Sequence, residues 1–489
     1  MMTITDVAQL MPLIVLGPLL GAVLIRVAGD ARPNLREAIT LLTAAGVFAA
    51  LLPLAQTVLN GARPELILAE WLPGASLAFR LEPLGLLFAL VAGFLWIVTS
   101  IYSIGYMRGH KEENQTRFYM CFALAIAFAM GVAFSANLLT LFLFYELLTI
   151  STYLLVAHAG TEEAKRGARI YLGVLLGTSI CFLLLAILWT LALAGTLEFT
   201  PGGVLNDVGS AAVLSALLLL FFFGVGKAAL MPFHGWLPAA MVAPTPVSAL
   251  LHAVAVVKAG VFTLMKIAVY IFGADVLRTL PATEFLLWVA AGTILLSSLI
   301  AMTKDNLKAR LAYSTISQLA YVTLGALLAT SAGVIGGSMH IAMHAFGKIT
   351  LFFCAGAILV AAHQKDISHM RGLGRALPLT MAAFFIGALS IVGLPFTGGA
   401  WSKWYLALGT LEAGHIALLA VLMLSSLLSA GYLLVIPVRA FFNQPAASAE
   451  PAHGAPVACS LAIAITALGC IALFFFPGPL LQLTSMIGR

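Results

Sequence analysis

Apolar runs of membrane-spanning length follow one another along nearly the whole chain, separated by short polar loops; Leu214–Phe223 and Leu461–Phe476 are typical. A spanning helix takes about 20 apolar residues. On that measure the pattern predicts about fourteen spans, centred roughly on residues 18, 48, 94, 125, 148, 182, 225, 258, 293, 320, 348, 390, 427 and 468. The expected fold is an all-α polytopic membrane protein forming a single membrane domain over residues 1–489. The longest loops are 61–82, 195–209 and 443–455. The last, NQPAASAEPAHGA, reads as a flexible exposed loop.

Two of the runs are interrupted. Phe221–Ala240, FFFGVGKAALMPFHGWLPAA, begins as an apolar helix carrying one charge, Lys227. It is expected to lose its regular hydrogen bonding where Pro232 and Pro238 bracket Phe233–Leu237. About 170 residues on, IVGLPFTGGAWSKWYLALG is broken by Gly393, Pro395, Gly398 and Gly399 close to Lys403. Broken helices survive in a bilayer only where protein or a wet cavity satisfies the freed backbone groups. The two breaks are offset by five helices, an odd number, so the second unit would insert upside-down relative to the first. That is the mark of an inverted repeat, and it divides the chain into repeats over 116–272 and 284–441, flanked by helices in 1–105 and 456–480.

Charge adds an orientation. Loops after odd-numbered helices hold sixteen Lys and Arg, those after even-numbered helices only Arg63, Arg80 and Arg278. The positive-inside rule then puts the odd loops in the cytoplasm and both termini outside, in a bacterial inner membrane. The first eleven residues lack Lys and Arg and no A-x-A-like site follows, so no cleaved signal peptide is expected. With 62% hydrophobic and 9% charged residues, the net charge of +6 reflects topology and not a nucleic-acid partner. The five cysteines are scattered, with no C-x-x-C, which argues against an iron–sulfur, zinc or haem site. Gly226-Lys227 is no phosphate loop, because Phe221 and Ala228 occupy places that need Gly and Ser or Thr. No cofactor is expected.

The chemistry that remains is ionisable groups inside the spans: Glu146, Lys227, Lys258 with His252, the trio His340, His344 and Lys348, and Lys403. A charge at the bilayer centre costs about 2.5–3.5 kcal/mol on insertion scales, so several together point to function. Snorkelling or simple structural pairing is the competing explanation, and it is the one adopted for Lys266 near a helix end. Burial disfavours a charged lysine and a nearby carboxylate restores it, so Glu146 with Lys227 reads as a proton switch. His340, His344 and Lys348 are spaced by four and share a helix face. They read as a proton relay; a metal pair is the weaker alternative, having no H-E-x-x-H glutamate and no third ligand.

With these residues placed, the chain resembles the antiporter-like subunits shared by respiratory complex I, membrane-bound hydrogenases and Mrp-type sodium/proton antiporters. The likeness covers roughly residues 80–440. It rests on FLFYELLTISTYLL, FFFGVGKAALMPFHGWLPAAMVAPTPVSALLHAVAVVKAG, DNLKARLAYSTISQLAYVTLG, HIAMHAFGKITLFF and GLPFTGGAWSKWY. The resemblance implies fourteen helices in two five-helix inverted repeats, with a row of buried polar residues along the membrane plane. It makes Glu146 and Lys227 the paired groups, Lys258 with His252 the connecting group, the His340/His344/Lys348 helix the link and Lys403 the terminal lysine. Within the family the chain looks most like the D-type subunits of the Mrp antiporters. It departs at Gly393-Leu394-Pro395-Phe396, where many members carry two consecutive prolines. The implied function is proton translocation within a multi-subunit sodium/proton antiporter, with other membrane subunits as partners. A proton-pumping subunit of a complex I-like or hydrogenase complex, and a stand-alone solute transporter, are the alternatives.

Overall fold

Prolines and short polar caps set where the helices begin. The computed structural model describes residues 4–72, 75–206, 208–444 and 454–488. Among the described residues, eleven helices are long and apolar enough to cross a membrane: α1 (Ile4–Ala28), α2 (Pro33–Leu59), α3 (Pro83–Gly109), α4 (Gln115–Phe134), α5 (Leu138–Val156), α6 (Glu162–Ala194), α8 (Thr245–Thr279), α9 (Pro281–Thr303), α11 (Ser331–Ala362), α13 (Ile416–Phe442) and α14 (Val457–Phe475). The three remaining spans are α10 (Leu307–Leu327), more polar than the rest, and two interrupted segments. The first comprises α7a (Ala211–Gly224) and the short α7b (Trp236–Ala239); the second comprises α12a (Pro378–Val392) and α12b (Gly399–Glu412). Every expected span centre therefore falls on one of fourteen spanning segments among the described residues.

Prolines open α2, α3, α9 and α12a at the first helical turn, where their missing N–H costs nothing. Asn137, Thr161, Asn306 and Thr330 cap α5, α6, α10 and α11 by accepting a backbone N–H three residues on, at 2.8–3.1 Å. The outer helices show lipid-facing leucine and valine, among them Leu20, Val27, Leu42 and Leu427, whereas α8 is buried almost throughout. α8 and α11 therefore form the axis around which the other spans pack.

Three findings depart from the sequence reading. The 61–82 loop is not structureless: β1 (Glu65–Leu72) and β2 (Ala75–Arg80) pair antiparallel, with Glu65 opposite Arg80. The all-α description therefore holds for the membrane body, with a hairpin laid against one end. The first break also begins earlier than the prolines suggested. α7a stops at Gly224, so Lys227 lies inside the break, in a single tight turn at Gly226–Ala228. Lastly, Lys266 does not snorkel: it is fully buried, donates to the Ser135 carbonyl at 2.5 Å and lies 3.5 Å from Glu82. The expected 443–455 loop lies largely outside the described residues.

Candidate functional site

The two breaks place their lysines by the same device. Where α7a ends, Trp236 Nε1 donates to the Gly226 carbonyl at 2.9 Å and the Tyr145 hydroxyl accepts from the Lys227 backbone N–H at 3.1 Å. Where α12a ends, Gly393 turns the chain at φ 88° and the Gly398 N–H finds the Cys470 carbonyl of α14 at 2.8 Å. The freed backbone groups are thus satisfied by neighbouring helices, as a bilayer requires. Each lysine follows the carbonyl end of a half-helix, which favours a cation. Lys403 bonds that end directly, donating to Val392 O, the last residue of α12a, at 3.0 Å and to Ser426 Oγ at 2.9 Å.

Lys227 is fully buried. Its ammonium donates to the Tyr145 carbonyl at 2.7 Å and to Thr149 Oγ1 at 2.6 Å, and lies 3.1 Å from the centre of the Tyr145 ring. Glu146 belongs to the next position of the same helix, α5, yet both of its carboxylate oxygens are shielded from solvent without a hydrogen-bond partner. The two residues expected to pair are neighbours across α5, but the pair is open, with the lysine held by neutral acceptors.

α8 carries the next groups. A side chain at Gly260 would bring its Cβ to 2.4 Å from the Ala228 N–H nitrogen and the Lys227 carbonyl carbon, so only glycine lets α8 lie this close to the first break. Two residues earlier, Lys258 points the other way along the protein and reaches His344 Nδ1 of α11 at 2.5 Å. His252 lies in a π-helical turn, Leu250–Val254, with both ring nitrogens unpartnered and its ring 4.8 Å from that of Phe352. The expected grouping of Lys258 with His252 is thus replaced by Lys258 with His344. Such π turns widen a helix locally and often accompany function.

On α11 the spacing of four keeps His340 and His344 stacked, with ring centres 5.8 Å apart. His340 contacts Ser402 Oγ of α12b at 2.9 Å and Gln318 Oε1 of α10 at 3.1 Å. The two histidines therefore commit three of four ring nitrogens to protein partners, and only His344 Nε2 is unpartnered. Lys348 turns toward α10, donating to Ser314 Oγ at 2.6 Å and Leu311 O at 3.3 Å. Tyr321 of α10 joins the far end: its ring stacks 5.6 Å from His340 and lies 4.8 Å beneath the Lys403 ammonium. Of all these lysines and histidines, Lys403 is the most exposed, at 7%. It lies beside an apolar groove of about 860 Å³ that includes Leu394, Trp404 and Leu427.

From α5 to α12b the lysines and histidines named above thus occupy successive buried positions across the protein, with half-buried Glu146 at the α5 end. Sequence reasoning missed the groups that hold them: Tyr145, Thr149, Gln318, Tyr321, Ser402 and the serines of α10 and α13. Tyr145 and Thr149 lie one and three residues from Glu146 in FLFYELLT, so a search for hydroxyls beside the buried charges would have found them.

The family model described as NADH:quinone oxidoreductase/Mrp antiporter, TM, matches residues 135–429. A second, described as NADH-Ubiquinone oxidoreductase (complex I), chain 5 N-terminus, matches residues 71–119. The chain is similar to NADH-quinone oxidoreductase subunit N of Desulforudis audaxviator, at 35% identity over 81% of this chain and 80% of that one. It is 32% identical to NAD(P)H-quinone oxidoreductase chain 5 of a Picosynechococcus species over 67% of its length, and spans half of that longer protein. A chain in the solved Mrp complex from Dietzia sp. DQ12-45-1b shares the fold, with a TM-score of 0.88, 24% identity and coverage of 99% of this chain and 97% of that one.

Proposed function

Because the chain belongs to the NADH:quinone oxidoreductase/Mrp antiporter family of antiporter-like, proton-translocating membrane subunits, we propose that it is the proton-carrying subunit of a multi-subunit sodium/proton antiporter. The observation that carries this reading is the unbroken burial of Lys227, Lys258, His344, His340 and Lys403 between two helix breaks. Protons move sideways along this row. Lys227 takes and yields a proton as Glu146 approaches and withdraws, and the open pair described above is the yielding arrangement. Lys258 hands the proton to His344 across their 2.5 Å contact, and His340 passes it toward Lys403. His252, on the same helix as Lys258 and without a hydrogen-bond partner, serves His344 and Lys348, with which it interacts, as a second acceptor. Residues 116–272 and 284–441 form the two inverted units, each ending its proton path at a broken helix. The chain lies in a bacterial inner membrane with both termini outside, beside other membrane subunits.

Moving one proton against 100 mV stores about 2.3 kcal/mol. Transfer of a buried lysine between a carboxylate and neutral acceptors is large enough to gate that amount. The direct test is Lys227→Ala in the assembled complex, in everted membrane vesicles. Loss of sodium-dependent proton movement is expected; wild-type transport would refute the assignment.

A second reading is a proton-pumping subunit of a redox-driven complex, favoured by the likeness to NADH-quinone oxidoreductase subunit N. Copurified partners separate the two. Flavin and iron–sulfur proteins support the redox complex, and small membrane subunits without redox groups support the antiporter.

A further inference from the structure

Hydroxyl side chains inside helices usually turn back and bond the carbonyl four residues earlier. Thr293, Ser297, Thr315 and Thr323 do so here. A set of hydroxyls between α9, α10 and α13 also reaches across helices, although one of them, Ser298, donates to its own Ile294 carbonyl at 2.8 Å as well. Lys348 donates to Ser314 Oγ at 2.6 Å, and Ser314 accepts from Tyr432 Oη at 3.0 Å. Tyr432 Oη also lies 3.0 Å from Ser429 Oγ and interacts with Ser298. Ser298 lies 3.2 Å from Ser425 Oγ and 3.0 Å from Ser317 Oγ, and Ser317 lies 3.3 Å from Ser425. Tyr321 interacts with both Ser425 and the adjacent Ser426, whose Oγ accepts from Lys403 Nζ at 2.9 Å. Apart from half-buried Ser426, all of these hydroxyl-bearing residues are buried.

These groups start at one buried lysine and end at another. Nothing in the packing demands that: alanine and phenylalanine would fill the same volumes without the desolvation cost of a buried hydroxyl. A hydroxyl both donates and accepts, so a file of them can pass a proton by exchanging bonds, whereas a histidine pair must flip rings or tautomers.

We propose that Ser314, Tyr432, Ser298, Ser425, Tyr321 and Ser426 form a hydroxyl wire that carries protons between Lys348 and Lys403, in parallel with the His344–His340 route. The inference rests on the reading of the two lysines as proton carriers. In one passage the Tyr432 O–H first rotates off Ser314, which then turns its own O–H toward Tyr432 Oη; the Lys348 ammonium gives a proton to Ser314 Oγ as Ser314 gives its own onward. Each O–H that breaks is replaced by one that forms, and the Lys403 amine ends as an ammonium. The hydroxyls are then reversed in direction and reset by rotation, which also closes the contacts at Tyr432–Ser298 and Tyr321–Ser425. A second route that ends at Lys403 but starts at Lys348, within electrostatic reach of Lys258 and His344, explains why Lys348 turns away from the imidazoles toward α10.

The test uses the assembled complex in everted vesicles, with variants Ser425→Ala, Tyr432→Phe, His340→Gln, each serine or tyrosine change combined with His340→Gln, and Lys403→Ala. Subunit copurification and melting temperature confirm assembly, and Tyr432→Phe stands in if Ser425→Ala fails to assemble. Parallel routes predict that each hydroxyl variant alone slows proton transport by about threefold or less, the scale of one lost hydrogen bond. The combined variants should fall well below the product of the two single effects. Combined variants at that product, or above it, overturn the wire while leaving Lys403 in place. Wild-type transport by Lys403→Ala overturns the underlying reading, and the wire with it.

Discussion

Lys258 of α8 and His344 of α11 meet at 2.5 Å, Nζ to Nδ1, and this contact is the hinge between the halves of the buried row. A lysine ammonium has no acceptor capacity, so it donates to His344 Nδ1 and leaves the imidazole proton on Nε2. His344 Nε2 is the ring nitrogen with no partner, and is therefore free to pass a proton on. Replacing His344 by Asn keeps an acceptor near the Nδ1 position but removes the second nitrogen. Proton transport should drop by about a hundredfold, a typical loss for a removed proton-transfer group, with assembly unchanged. Transport within about twofold of wild type would show that the contact is only structural.

Glu146 offers a second test. Its two oxygens are buried and unpartnered while Lys227 is held by Tyr145 and Thr149. Such a carboxylate is retained at a cost unless it acts on something that moves. Glu146→Gln should abolish transport while leaving the melting temperature unchanged or raised, because an unpaired buried charge is removed. A lowered melting temperature with normal transport would contradict the switch.

Lys266 tests the end of α8 nearest the β1–β2 hairpin. Breaking a buried ion pair by removing one partner costs about 3–5 kcal/mol. Lys266→Ala should therefore lower the melting temperature in detergent by several degrees, whereas Lys266→Arg, which keeps the charge, should restore most of it. The hairpin is tied to the same region, since Arg80 bonds Glu65 at 2.8 Å, Glu198 at 3.1 Å and the Phe199 carbonyl at 3.0 Å, and the Phe199 ring lies 4.2 Å from the Lys266 ammonium. Equal stability of the alanine variant and wild type would show the pair to be idle.

His158 gives a pH dependence. It lies in the loop between α5 and α6, where burial first and the Arg117 charge second lower its pKa from 6.5 to about 4. Between those values the unfolded chain binds a proton that the folded chain refuses. Stability should be level above pH 6.5, as far as this group is concerned, and fall as the pH drops from there toward 4. His158→Gln, which retains a donor for the Glu113 carbonyl, should flatten that part of the melting curve. An unchanged slope would assign the acid sensitivity elsewhere.

The sequence carried the helix count because lipid imposes a simple rule on length and composition, and it carried the buried charges because they are so costly there. Polar partners were harder to read. A serine inside an apolar helix looks the same whether it bonds its own backbone, as Ser100 does, or a neighbouring helix, as Ser425 does. The position of the first break was obscured by its prolines. Gly224-Val225-Gly226 ends the helix before Pro232 is reached, and the glycine pair was the better signal. Lys266 misled because it lies near the end of a span: position along a helix does not tell whether that end is covered, here by Phe199 and the start of α3. The hairpin was not legible: its runs ELILAEWL and ASLAFR hold few β-branched or aromatic residues, so 61–82 read as a loop.

The contact at Gly260 fixes more than local packing. The span carrying the second lysine rests on the peptide bond of the first, so their separation is set by backbone against backbone, with no flexible side chain between to absorb a displacement. A displacement of the Lys227 backbone therefore presses on α8 directly, whereas a swing of the Lys227 or Glu146 side chain does not. Mechanical stiffness at a single hydrogen atom makes the first break and α8 one machine part.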